Sequence, residues 1–122
     1  MASERTEMTF QVTDAQGHAY HVQLAIDEQA ATGILVMRRE STGVVQQHRL
    51  DDMQKSHDGK TLQCTVGVAT ATLTIQDAQI PPRLHLQARV FVPVMDETYT
   101  LQPAEQQRLS AWMQALRLKV LG

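Results

Sequence analysis

Met8, Phe10 and Val12 alternate with Thr9, Gln11 and Thr13, and the same period resumes at His18 after Asp14, Ala15, Gln16 and Gly17. There Tyr20, Val22, Leu24 and Ile26 oppose His21, Gln23 and Ala25. Successive strand side chains point to opposite faces, so two such runs around a short Gly-containing loop predict a β-hairpin over residues 8–26. Residues 33–40 predict a further strand, apolar on both faces at Ile34, Leu35, Val36 and Met37, as in a central or doubly covered strand. Ser41, Thr42 and Gly43 turn the chain into residues 44–50, an antiparallel partner with mixed faces. Asp58 and Gly59 both tolerate positive φ and mark a type I′ turn. Leu62, Cys64 and Val66 then face inward; beyond Gly67, Ala69, Ala71, Leu73 and Ile75 oppose Thr70, Thr72 and Thr74. A threonine row suits a solvated sheet face. Pro81 and Pro82 predict an extended link. Residues 83–92 alternate again, with Leu84, Leu86, Ala88, Val90 and Val92 on one side. Pro93 is expected to end that strand, and residues 97–101 to add a brief one.

The last element changes period. Pro103 suits the first helical position, where its missing N–H costs nothing, and Glu105 places an acid in the first turn. Leu109, Trp112, Met113, Leu116 and Val120 recur at helical spacing, which predicts an amphipathic helix over 103–121. Arg117 and Lys119 would then complement the negative end of the helix dipole, with Gly122 as a stop. Strands first and one such helix last predict a mainly β (α+β) fold. We expect a seven- to eight-stranded antiparallel barrel or sandwich, with the helix packed on a sheet or plugging a barrel end.

Composition narrows the picture little further. At 122 residues the chain suits one domain, 1–122, with 1–7 expected to be flexible. Of its residues 43% are hydrophobic, yet only five are aromatic, so aliphatic side chains must carry the packing. A net charge of -2 leaves no electrostatic footprint for nucleic acid. The polar start and the absence of ~20 consecutive apolar residues predict a cytoplasmic chain without a transmembrane segment.

Candidate chemistry is sparse. Cys64 is the single cysteine, so neither an internal disulfide nor a multi-cysteine zinc site is available. It lies on an inward strand face, where a thiol acts as a small hydrophobe. His18, His21, His48, His57 and His85 form no short ligand pair, so no metal and no cofactor is expected. Asp51, Asp52 and Asp58 do not follow a calcium-loop pattern and read as solvated turns. No Gly-x-Ser-x-Gly elbow or Gly-rich phosphate loop occurs. Arg38 and Arg39, with Arg49, Lys55 and Lys60, form the one candidate ligand-binding patch, a set of cations near neighbouring strand ends. The bland alternative is ordinary charge at strand ends.

Tyr99 to Gln102 followed by Glu105 to Leu116, with Trp112 near the close, resembles the end of pleckstrin-homology domains, and residues 48–53 resemble their fourth-strand region. That resemblance implies an open seven-stranded barrel with a helix whose tryptophan packs on it. Phosphoinositide-binding members carry basic residues around the first hairpin loop, and 14–18 here holds no lysine or arginine, so phosphoinositide binding is unsupported. Arg38 and Arg39 resemble the arginine motif of PilZ domains, which implies cyclic-dinucleotide binding, although the accompanying Asp-x-Ser-x-x-Gly segment is missing.

Many strands and one helix without nucleophile, base and stabiliser lead to the expectation of a non-enzymatic interaction module. Its expected partner is a protein segment that docks beside the helix or adds to a strand edge, and a homodimer is a second expected assembly. The alternative is a small-ligand, lipid or cyclic-dinucleotide binding barrel, because the small inward residues Ala69, Ala71 and Ala88 leave interior volume unfilled.

Overall fold

The computed structural model describes residues 5–121. Eight strands follow one another: β1 (Arg5–Thr13), β2 (Ala19–Asp27), β3 (Thr32–Arg39), β4 (Val45–Lys55), β5 (Thr61–Val66), β6 (Ala69–Gln76), β7 (Arg83–Val90) and β8 (Val92–Thr100). Each pairs antiparallel with the next, and a β1–β8 contact turns the sheet into a ring. Helix α1 (Pro103–Ala115) and a two-residue strand β9 (Lys119–Val120) follow. The fold is therefore mainly β with one C-terminal helix, as the alternation and final change of period predict. The ring form selects a barrel over a sandwich.

The first hairpin shows how pattern becomes core. Met8, Phe10 and Val12 stand opposite Leu24, Val22 and Tyr20, so both apolar rows face one interior. Phe10, Val22, Leu24 and Ile26 are buried there. Within 44–50 only Leu50 is buried, so the mixed faces of that run lie largely in solvent. Asp52 adopts φ 50, and the β4–β5 register shifts between Asp51 and Gln54. That bulge brings Leu50 and Met53, three residues apart, into the same core. Asp51 and Asp52 thus sit within β4, not in a turn.

Residues 83–92 do not form one strand. The chain reverses at Phe91 (φ 68), flanked by the pair Val90 and Val92. Pro93 does not end pairing; it lies opposite Arg89, where the register shifts, and β8 runs on to Thr100. A proline is tolerated there because β8 has no second neighbour along most of its length.

Ring closure is thin. The β1–β8 register contains one pair, Thr13 and Thr100. Helix α1 covers the rest of the β1 edge with side chains. Glu105 Oε2 accepts the Gln11 backbone N–H at 2.8 Å, and Arg108 Nη2 donates to the Thr9 carbonyl at 3.3 Å. Trp112 Nε1 donates to Thr6 Oγ1 at 2.8 Å. Backbone groups that a neighbouring strand would satisfy are met by the helix instead. The inner face of α1 buries Leu109 and Met113 completely. Each such residue contributes roughly 1.5–3 kcal/mol of hydrophobic burial before entropy is counted.

The helix ends at Ala115, not at 121. Leu116 is extended (φ -62, ψ 134), and Lys119–Val120 pair parallel with Gln54 and Lys55 of β4. Leu116 and Leu118 are buried at strand spacing, while Val120 is exposed. Arg117 and Lys119 therefore lie beyond the helix and do not meet its dipole. Lys55 Nζ takes that place, donating to the Gln114 carbonyl at 2.7 Å, and the Arg117 N–H is held by Glu28 Oε2 at 2.5 Å. Of the 1–7 segment expected to be flexible, 5–7 belong to β1 and 1–4 lie outside the described residues. No helix among the described residues is long and apolar enough to cross a membrane.

Candidate functional site

A cavity of about 280 Å³ opens within the barrel near the end that carries the β5–β6 and β7–β8 turns. Its floor is aliphatic: Leu24, Leu50, Met53, Leu62 and Leu73. Its walls are small or flexible, with Cys64 and Val66 from β5, Ala69 and Ala71 from β6, and Ala88 from β7. Leu35 and His48, cross-strand partners on β3 and β4, form one side; Val94 and Met95 of β8 form another. His48 is the polar side chain on the inner face of the lining; Thr72 and Gln87, paired with each other, alternate with the inward Ala71, Leu73, Leu86 and Ala88 and turn their side chains to the outer face.

The opening follows from the strands. Only from Asp51 onward does β4 pair with β5, leaving its first half bound to β3 alone. Likewise, β8 touches β1 at a single pair, so residues 92–98 are exposed. The ring is complete around the lower core and splayed above it. The three alanines widen the interior where larger side chains would fill it. Leu35 belongs to the apolar run 34–37, whereas Val94 and Met95 carry no comparable mark in the sequence. The alternation of Val92 and Val94 was the available signal, masked by reading Pro93 as a stop.

Cys64 sits on the cavity wall, 7% exposed, and burial pushes its thiol up to about 11, with the Asp51 charge adding to the effect. A thiol so protonated is a weak nucleophile. At the β1–β2 turn, Asp14 accepts hydrogen bonds from the backbone N–H groups of Gln16 and His18, both at 2.9 Å, and from the Tyr20 hydroxyl at 3.1 Å. Tyr20 in turn meets Tyr99 edge to face, ring centroids 5.7 Å apart. Burial raises the Tyr99 hydroxyl to about 12, so both rings stay neutral structural groups. This network locks the turn and leaves no free carboxylate oxygen aimed at a substrate.

The basic residues are not brought together. Arg38 is exposed opposite Val45, and Arg39 lies opposite Tyr20 with its Nε buried and unpartnered among the described residues. Arg49 Nε pairs with Asp51 at 3.2 Å on the outer face. Lys55 caps α1, and Lys60 pairs with Asp77 at 3.1 Å, both at the barrel end opposite to Arg38. Among the described residues no three His, Cys, Asp or Glu side chains gather as metal ligands. Comparisons of the chain with protein-family models, curated proteins and solved structures find no match.

Proposed function

We propose that the barrel is a non-catalytic binding protein that takes a small apolar molecule, or the apolar tail of an amphiphile, into its cavity. The observation that supports this reading is the wall: aliphatic side chains, three alanines and a protonated thiol around about 280 Å³. That volume, about 280 Å³, lies just below the ~300–1,000 Å³ of small-molecule sites, so one chain or one small ring system fits. His48, exposed at the mouth, offers a hydrogen bond to a polar head such as a carboxyl group, and the rest of the lining is apolar.

Titration with a fluorescent fatty acid tests the reading. Saturable one-to-one binding is expected, and Ala88→Phe, which fills the cavity, is expected to weaken it at least tenfold, or ~1.4 kcal/mol. Binding that is unsaturable, or unaffected by Ala88→Phe, would reject it.

A protein segment added as a strand to β8 is a second reading. It is favoured by the exposed run 92–98, which pairs with β7 on one edge and has no strand on the other, where β1 meets β8 only at Thr100. Peptide selection should then return extended apolar sequences that lose binding to Val94→Pro. A selection without sequence preference would count against it.

A further inference from the structure

In an antiparallel up-and-down ring every second turn falls at the same end, so the β3–β4, β5–β6 and β7–β8 turns share one end of this barrel with the polar β1–β2 turn. The exposed apolar side chains concentrate there. Val44 lies in the first turn with Val45 opening β4 beside it, Val68 lies in the second at 89% exposure, and Phe91 in the third at 100%. Of the nine large apolar residues exposed among the described residues, only Ile80 and Val120 lie outside these three hairpins. Phe91 holds φ 68, a conformation suited to glycine or asparagine and costly for a bulky residue. A strained backbone thus presents a fully solvated phenyl ring.

The same end carries exposed cations. Arg38 stands beside Val45, and Arg89 beside Thr70 and Pro93, neither with an ion-pair partner among the described residues. Glu40, in the first of these turns, is engaged by Gln11 Nε2 at 3.1 Å. The cavity lies directly behind the tips, since Val66 and Ala69 flank the second turn and Val94 the third. Apolar tips with cations behind them and an apolar cavity between are the chemistry of a surface that rests on anionic lipid.

We propose that this end docks on an anionic lipid bilayer. Phe91, Val68 and the Val44–Val45 pair enter the interface, Arg38 and Arg89 face lipid phosphates, and the cavity receives an acyl chain from the membrane. The proposal rests on the apolar-ligand reading above for the fate of that chain, but not for the docking itself.

Sedimentation with vesicles tests it, comparing phosphatidylcholine alone with an equimolar mixture of phosphatidylcholine and phosphatidylserine. The chain is expected to bind the mixed vesicles, weakening as salt rises. Phe91→Asp and Val68→Asp together should reduce binding at least tenfold, and Arg38→Gln with Arg89→Gln should remove most of the salt dependence. Phe91→Gly separates docking from folding. It relieves the positive φ, so it should melt no lower than the parent chain while binding vesicles less well. Uptake of the fluorescent fatty acid without sedimentation on any vesicle would overturn docking and leave the cavity reading standing. Sedimentation without uptake would do the reverse. Equal binding to both vesicle types, or a dimer in analytical ultracentrifugation that Phe91→Asp dissolves, would also overturn the proposal.

Discussion

At the scale of single residues, burial and hydrogen bonding set the reactivity of each ionisable group. Cys64 is raised from the ordinary 9.0 to about 11 by burial. Its thiolate fraction at pH 8 is then about a hundredfold below that of a free thiol. Maleimide labelling should be at least tenfold slower in the native chain than in denaturant, and slower again with a fatty acid bound. Equal rates would place Cys64 outside the cavity wall. Asp14 and Asp58 move the other way. At Asp14 desolvation pulls upward, but the N–H groups of His18 and Gln16 outweigh it; at Asp58 the Ser56 hydroxyl and the Lys60 N–H hold the carboxyl below 3.8. A carboxyl depressed in the folded state contributes stability that is fully present above the unfolded value and is lost as pH falls through the folded one. Melting temperature should therefore decline below about pH 4. Asp14→Asn with Asp58→Asn should flatten that decline, and an unchanged acid limb would show that other groups control it.

At the scale of elements, the seam between β1 and α1 carries the most testable energetics. Leu109→Ala removes a completely buried side chain and should cost about 2–5 kcal/mol in denaturant unfolding. Lys55→Met keeps the aliphatic stem but loses the donor to the Gln114 carbonyl, and should cost about 0.3–1 kcal/mol, less at high salt. A salt-independent loss would argue for packing alone. The strand series and the helix start were legible because alternation and Pro103 report local geometry. What failed was non-local. Leu116, Leu118 and Val120 fit both a helical stripe, through Leu116 and Val120, and a strand at spacing two. The free edge of β4 decided for the strand. Pro93 reads locally as a stop, yet an edge without a neighbour accepts it. The positive φ at Asp52 and Phe91 carries no glycine or asparagine signal, so neither the bulge nor the turn was visible. The cavity was half legible: Ala69, Ala71 and Ala88 announced missing volume, while its opening depends on where β4 leaves β5, which no single segment encodes.

At the scale of the whole molecule, the barrel is packed below and open above, and substitutions should distinguish the two regions. Ala71→Leu places methyl groups in the cavity and should leave stability unchanged or raise it by about 0.5–2 kcal/mol. A filled interior would instead make it cost about 1–3 kcal/mol through overpacking. Denaturant unfolding followed by Trp112 emission decides between them. The exposed 92–98 run leaves β8 with an open edge, at which Pro93, Asp96 and Glu97 discourage uncontrolled pairing.

The helix-covered seam also sets the order in which the chain can finish folding. Gln11 is satisfied by Glu105, 94 residues later, so ring closure has a long loop to close and a high contact order. During synthesis at about 5–20 residues per second, β1 waits for several seconds with its edge unpaired while the other strands emerge. Neighbouring nascent chains meet that edge before its own helix does. A fragment of residues 1–101 should accordingly aggregate on refolding, and a peptide spanning 102–121, added in trans, should restore solubility. The helix that completes the barrel is therefore also the element that ends its exposure to misassembly.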